Sequence, residues 1–446
     1  MNEYYMKKYL KYKTKYNNEK KMKGGSNEKN YESNISHITS DEHYNNFKNI
    51  FGPYELYILK NNTDNKTFFL FSDFHKHCEN DIMNDYIYFP DFLDKLFNKH
   101  SDYQFDFFTE LGYYESKNIK QATTYNLINN INRKFRNCYA DLTDKKKCEE
   151  KYRNVRFHAT DLRNHYLEEN CNSNNYICQL FNIMNQITNH LTQLDTILSD
   201  NELNYDNEDK YMSLINWIDN LNNELFNDKN LLDIDYELLK KDILNAYKIN
   251  KIFANTKYTN VINKLNIFVN YEINKLDKTE IKNLLDYDIM INKDNIIDEI
   301  WSSIDDDTIN KNDEFFYVVY PYIIKFVEEI KTRLHAIEMV IIKATTIVMD
   351  VYTLSRALKC DNYITKCKNI IILAGNNHIH KYVNFLVNVC NYEIKTTKKT
   401  PITTELKNQY ADNIEYENAL INTLYDNPCL RYISISASEI EKYLIR

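Results

Sequence analysis

Two histidines and a glutamate each follow an apolar, strand-like run in the sequence. The run FFLFSDFH places His75 three residues after Ser72, and IIILAGNNH places His378 three residues after Gly375. Glu110 ends a third run, FDFFTE. Because a small residue allows a tight turn at a strand end, both histidines are expected at the carboxyl edge of a sheet. Imidazole and carboxylate groups suit either divalent-metal binding or acid–base catalysis, so we predict that the three side chains share one site.

Strand patterns and helix patterns alternate near the two ends of the chain. Short apolar runs predict strands at 54–60, 66–72, 105–110, 154–163, 369–374 and 429–436. Apolar residues at three- and four-residue spacing predict helices at 90–100, 322–358 and 380–390. This alternation is typical of a mainly parallel central sheet flanked by helices. We therefore predict an α/β fold whose ligand site lies beyond the carboxyl ends of the strands.

The middle and the N-terminus of the chain have different patterns. Residues from about 165 to 310 contain no glycine or proline, and their apolar spacing predicts a long all-helical insertion. Residues 1–45 are rich in Tyr, Lys and polar residues, which predicts a disordered basic leader. We therefore predict a single α/β domain over residues 46–446, interrupted by the helical insertion.

Charge and composition limit the classes of function. The chain has a formal net charge of −8 although its leader is basic, so non-specific nucleic-acid binding is not expected. No apolar run predicts a transmembrane segment, and the N-terminus has no signal-peptide pattern. The nine cysteines lack regular spacing, which is typical of reduced thiols in an intracellular, cytosol-like compartment.

Two polar residues at another strand end extend the predicted site. Asp161 and Arg163 close the run 154–163. An arginine in that place is suited to bind a carboxylate or phosphate of a substrate. An internal ion pair between Asp161 and Arg163 is an equal alternative.

The site motifs resemble those of the TraB/Tiki, erythromycin-esterase and ChaN-like superfamily. That superfamily has an early G-x-x-H, a glutamate after the next strand and a late G-x-x-H. Residues 72–75, Glu110 and residues 375–378 match this order, with Ser72 in place of the usual glycine. The resemblance implies hydrolysis of a small-molecule or peptide substrate by activated water, with or without a divalent metal such as Mn²⁺ or Zn²⁺. It implies catalytic or metal-binding roles for the two histidines and Glu110; one branch of the superfamily binds haem instead.

Two alternatives remain open. The sequence FSDFH also resembles the D-x-H opening of calcineurin-like metallophosphoesterases, which implies metal binding by Asp73 and His75. The glycine-containing central motifs of that family have no counterpart between Gly112 and Gly375. The leader YLKYKTKY resembles leaders of proteins from amoeba-infecting giant viruses, which implies the host cytoplasm or the virion, and an acidic viral partner for the leader. The second alternative is therefore a catalytically silent viral structural or interaction protein.

Overall fold

The computed structural model describes most of residues 40–161 and 368–446 and parts of the chain between them. The described residues are 40–61, 65–74, 85–112, 127–139, 148, 150–161, 176–199, 213, 216–217, 220–221, 236–249, 259–276, 313–359, 368–409, 413–427 and 430–446. His75, Arg163 and residues 1–39 of the predicted leader lie outside these residues.

Strands and helices alternate along the described residues. The strands are β1 (Asn49–Phe51), β2 (Glu55–Asn61), β3 (Lys66–Asp73), β4 (Tyr86–Tyr88), β5 (Phe105–Gly112), β6 (Val155–Asp161), β7 (Asn369–Gly375), β8 (Glu393–Lys399) and β9 (Tyr432–Ser434). The helices are α1 (Asp41–Asn46), α2 (Phe89–Lys99), α3 (Leu127–Lys134), α4 (Arg136–Tyr139), α5 (Tyr176–Ser199), α6 (Tyr236–Ile249), α7 (Thr259–Asn274), α8 (Asp313–Lys359), α9 (Asn376–Asn388), α10 (Ile402–Gln409), α11 (Asn413–Asp426) and α12 (Ala437–Glu441).

Six strands form the central sheet, in the order β6-β5-β7-β3-β2-β8. Strands β6, β5, β7 and β3 run parallel, whereas β2 is antiparallel to both of its neighbours. The predicted α/β class, with a mainly parallel sheet flanked by helices, is confirmed. Because β7 lies between β3 and β5, a strand from the C-terminal part of the chain pairs with two strands from its N-terminal part. A smaller sheet contains β4, β1 and β9.

One face of the central sheet packs against α2 in the largest described part of the core. The apolar residues Phe92, Leu93, Leu96 and Phe97 follow helical spacing in α2, and all four are buried. Pro90 lies in the first turn, where its missing N–H costs no helical hydrogen bond. Each large side chain of this kind stabilises the fold by about 1.5–3 kcal/mol when it leaves water.

An ion pair between the buried Asp106 and the solvent-exposed Arg156 joins β6 to the sheet. The carboxylate of Asp106 in β5 accepts two hydrogen bonds of 2.6 Å from the guanidinium of Arg156 in β6. His158 Nε2 lies 3.1 Å from the same carboxylate. Burial opposes ionisation of Asp106, but His158 and Arg156 outweigh burial and lower the pKa of Asp106.

The chain divides into two compact units. One unit contains both sheets and includes residues 26–165, 250–268 and 348–446. The other includes residues 166–249 and 269–347, and its described residues contain α5, α6 and most of α8. In this helical unit the hydroxyl of Thr188 donates a hydrogen bond of 2.8 Å to the buried carboxylate of Glu338. The described part of the predicted helical insertion is helical.

The expectation of reduced thiols is wrong for three cysteines. Cys138 and Cys148 form a disulfide, and Cys178 is also disulfide-bonded. The spacing of ten residues is not a recognised motif, and the two Cα atoms lie 5.2 Å apart in the structure. Cys390 is buried and is not disulfide-bonded.

Within the described part of the chain, no helix has an apolar stretch of the length needed to cross a membrane.

Candidate functional site

Two of the three predicted catalytic residues lie side by side at the carboxyl edge of the central sheet. Glu110 Oε1 is 3.6 Å from His378 Nε2, and the two side chains are 12% and 10% exposed. His75 follows the last residue of β3, Asp73, by two positions, but its placement lies outside the described residues.

In the pairing of β3 with β7, the small residues of the two motifs, Ser72 and Gly375, are offset by one position. Asp73 is the partner of Gly375 in the parallel ladder, and Ser72 is the partner of Ala374. Ser72 and Gly375 are therefore not partners in the ladder, because β3 continues through Asp73. The two strands still end side by side at the carboxyl edge of the sheet.

A β-bulge lies at the position of Glu110. Thr109 pairs with Ala159 and Gly112 pairs with Asp161, so β5 has one more residue than β6 between these pairs. Bulges disturb the regular alternation and redirect side chains, often beside functional sites. Glu110 Oε2 accepts a hydrogen bond of 2.7 Å from the backbone N–H of Gly375, while Oε1 faces His378.

Gly375 is the N-cap residue of α9, and it adopts an ordinary extended conformation. Its φ of −57° and ψ of 152° are open to any residue, so the glycine is not required by a left-handed turn. Helix α9 begins directly after it, which places His378 in the first turn of the helix. The hydrogen bond from the Gly375 N–H therefore ties the start of α9 to Glu110.

Asp350 of α8 holds the other side of the His378 ring. His378 Nδ1 is hydrogen-bonded to Asp350 Oδ1. The Lys381 ammonium donates to Asp350 Oδ2 at 3.0 Å, and the Tyr382 hydroxyl donates to Oδ1 at 2.9 Å. The Asp350 side chain is fully buried. Asp350 was not predicted from the sequence, although a carboxylate inside the apolar run VIIKATTIVMDVY was a signal for it.

Burial and charge act in opposite directions on this cluster. Burial opposes ionisation of Asp350, but the charges of His378 and Lys381 outweigh it and lower the pKa of Asp350. Burial also lowers the pKa of His378, but the carboxylates of Asp350 and Glu110 outweigh burial and raise it above its usual value. The His378 ring is therefore protonated over a wider pH range than a free histidine.

A second carboxylate–histidine cluster lies at the same edge of the sheet, around Glu55. His380 Nε2 is 2.9 Å from Glu55 Oε2, which also accepts a hydrogen bond of 3.2 Å from the Ser72 hydroxyl. Tyr57 donates to Glu55 Oε1 at 2.9 Å, and Lys399 forms an ion pair with the same oxygen. Burial raises the pKa of Glu55, but His380 and Lys399 outweigh burial and lower it to about 2.

The remaining predicted residues occupy separate places. Asp161 is the last residue of β6 and is half-buried at the carboxyl edge of the sheet. Asp73 is buried, and its Oδ1 lies 3.6 Å from Nη1 of the buried Arg431. The role predicted for Arg163 in substrate binding concerns a residue that is not described.

The predicted metal set comprises His75, Glu110, His378 and Asp73. No group of three or more His, Cys, Asp or Glu is arranged to hold a metal ion among the residues that the structure describes. Because His75 is outside those residues, the metal site stays a prediction.

The arrangement of Glu110 and His378 suits proton transfer. A separation of 3.6 Å is longer than a direct hydrogen bond, yet both atoms are close enough to contact one reacting group. A bond from Nδ1 to a buried carboxylate leaves Nε2 as the ring atom that exchanges protons. Comparison of the chain with family models, with curated proteins and with solved structures gives no match, so the function is inferred from this site.

Proposed function

We propose that this protein is a hydrolase of the erythromycin-esterase/TraB-like type, in which Glu110 and His378 activate water. One observation carries the proposal: the 3.6 Å approach of His378 Nε2 to Glu110 Oε1 at the carboxyl edge of a mainly parallel sheet. In open α/β sheets this edge is the usual place for a ligand. The reaction class, hydrolysis, is taken from the family resemblance of the motifs at residues 72–75, Glu110 and residues 375–378.

The proposed catalytic roles of Glu110 and His378 follow from the charges of their side chains. Glu110 accepts a proton from the attacking water, whose oxygen forms the new bond to the acyl carbon of the substrate. The raised pKa of His378 suits it to donate the Nε2 proton to the leaving group as the old bond breaks. Transfer of the proton from Glu110 to His378 then restores both residues. His75 is a second imidazole in this proposal, as a base or a metal ligand.

A divalent metal fits the same donors. The distance of 3.6 Å between Nε2 and Oε1 is close to the roughly 3.4 Å that separates two ligands of a tetrahedral zinc ion. Glu110, His378 and His75 would hold Zn²⁺ or Mn²⁺, which would polarise the substrate and lower the pKa of a bound water. The substrate class in this proposal is a small molecule or a peptide, with Arg163 and Asp161 as the anchoring residues. The protein would work in the host cytoplasm or the virion, where its leader would contact an acidic viral partner.

The test is a hydrolysis screen of the purified full chain on chromogenic carboxylic esters, phosphoesters and peptides. We expect turnover on a carboxylic ester or a peptide, and losses of about 10²–10⁴-fold in His378→Gln and Glu110→Gln. Glu393→Gln is the matched control, because this exposed carboxylate lies on β8 and pairs only at the surface with Lys395. Full activity in both site variants would refute the proposal. Inactivity of the wild type on every substrate would favour the catalytically silent structural protein.

Metal analysis separates the two forms of the mechanism. One equivalent of Zn²⁺ or Mn²⁺ in the wild type, lost in both His75→Ala and His378→Ala, would support a shared metal site. Turnover by wild-type protein that contains no metal would support the acid–base form.

A further inference from the structure

Two buried carboxylates with matching surroundings hold the beginning of α9. One is Asp350 of α8, and the other is Glu55 of β2. Each accepts one histidine, one lysine and one tyrosine: His378, Lys381 and Tyr382 at Asp350, and His380, Lys399 and Tyr57 at Glu55. Since four of these six partners come from the first two turns of α9, both carboxylates fix the position of this helix.

The two clusters differ in the ring atom that the carboxylate contacts. At Asp350 the contact is with His378 Nδ1, so the opposite nitrogen, Nε2, faces Glu110. At Glu55 the contact is with His380 Nε2. His378 is 10% exposed between the carboxylates of Asp350 and Glu110, whereas His380 is 42% exposed. Only the first arrangement directs a ring nitrogen at the predicted catalytic glutamate.

We propose that Asp350 is the positioning residue of the site, and that it keeps the His378 proton on Nδ1 so that Nε2 is left to exchange protons. This inference rests on the proposed function of Glu110 and His378. Asp350 acts through His378, because its own carboxylate is fully buried. Lys381 and Tyr382 donate to the same carboxylate and hold its two oxygens in one orientation. Outer carboxylates select the tautomer of a catalytic histidine in this way in serine hydrolases.

The competing explanation is that Asp350 only anchors α9, as Glu55 does. The chain provides the control for this explanation, because Glu55→Gln removes the other buried carboxylate that contacts α9. Asp350→Asn keeps the shape of the side chain but adds an N–H donor. An amide donor facing Nδ1 favours the tautomer with the proton on Nε2, which a change in helix anchoring alone does not do.

The decisive measurement is the imidazole tautomer of His378 in full-length protein labelled with ¹⁵N-histidine. Long-range ¹H–¹⁵N spectra are recorded above the pH at which His378 titrates, with His378→Gln to assign its signals. We expect the Nδ1–H tautomer in the wild type and in Glu55→Gln, and a population shift towards Nε2–H in Asp350→Asn. On the substrate identified by the screen, Asp350→Asn should lower kcat by about 10³–10⁴-fold and change KM by less than about threefold.

Three outcomes would decide against the positioning role. These are a wild-type His378 with its proton mainly on Nε2, an equal tautomer change in Asp350→Asn and Glu55→Gln, or an Asp350→Asn variant with wild-type kcat. If Asp350→Asn does not fold, the wild-type spectrum alone decides. An Nδ1–H tautomer in a protein that hydrolyses nothing would refute the proposed function and leave the positioning of His378 by Asp350 intact.

Discussion

Replacing Glu55 with glutamine should destabilise the sheet-containing unit at neutral pH and have a much smaller effect in acid. The Glu55 side chain is 3% exposed, and its pKa is lowered from 4.5 to about 2 because His380 and Lys399 outweigh the effect of burial. Each pKa unit corresponds to about 1.4 kcal/mol, so the ionised carboxylate stabilises the fold by about 3 kcal/mol at pH 7.

The sign of the pH dependence follows from the lowered pKa. The unfolded chain binds a proton at Glu55 near pH 4.5, whereas the folded protein binds it only near pH 2. The stabilisation is therefore complete above about pH 4.5 and is lost as the pH falls towards 2. At pH 3 about 1.4 kcal/mol of it should remain.

The assay is urea unfolding at pH 7 and pH 3, followed by hydrogen exchange in peptides that contain β2 and β8. Fluorescence of Trp217 is unsuitable, because Trp217 belongs to the helical unit. Glu393→Gln on β8 is the matched control, since its carboxylate is 67% exposed, and it should unfold like the wild type. A Glu55→Gln variant that loses the same stability at both pH values would refute the electrostatic origin of the effect.

Three further predictions concern the same unit. Asp106→Asn should loosen the pairing of β5 with β6 at neutral pH, and the effect should shrink as the pH falls below the ordinary Asp pKa of 3.8, because the pKa of Asp106 is lowered and its stabilisation is lost only as the pH approaches that lowered value; exchange of the β5 and β6 amides at the same rate in the variant and the wild type at pH 7 would contradict this. Phe97→Ala should lower the free energy of unfolding by about 3–5 kcal/mol, because the ring is completely buried among other aromatic rings of the core. A decrease below about 1 kcal/mol in urea unfolding would contradict this and show that neighbouring side chains fill the cavity. Reduction of the disulfide between Cys138 and Cys148 should cost about 2–3 kcal/mol, as expected for a loop of this length. Replacing both Cys138 and Cys148 with Ser should cause the same loss without reductant, whereas Cys390→Ser should not. Equal unfolding midpoints of the wild type with and without reductant would argue against the disulfide.

The fold class could be predicted from the sequence because the buried strands are short and almost wholly apolar. The runs at β3, β5 and β7 are buried on both faces, as covered parallel strands must be, and this leaves a pattern in the sequence. β8 was missed because the strand EIKTTKK lies at the edge of the sheet and is largely exposed. An exposed edge strand needs few apolar side chains, so its sequence resembles that of a loop.

The sequence by itself determined which strand ends carry polar side chains, and Glu110 and His378 were found in this way. Local pattern could identify them because Glu110 lies near the end of β5 and His378 lies three residues after the end of β7. Only the tertiary structure decided which carboxylate meets which histidine. Asp350 lies 28 residues before His378 on another element, and Glu55 lies 325 residues before His380. Such contacts depend on how α8, α9 and the strands pack together, and the spacing of residues along the chain does not predict that packing.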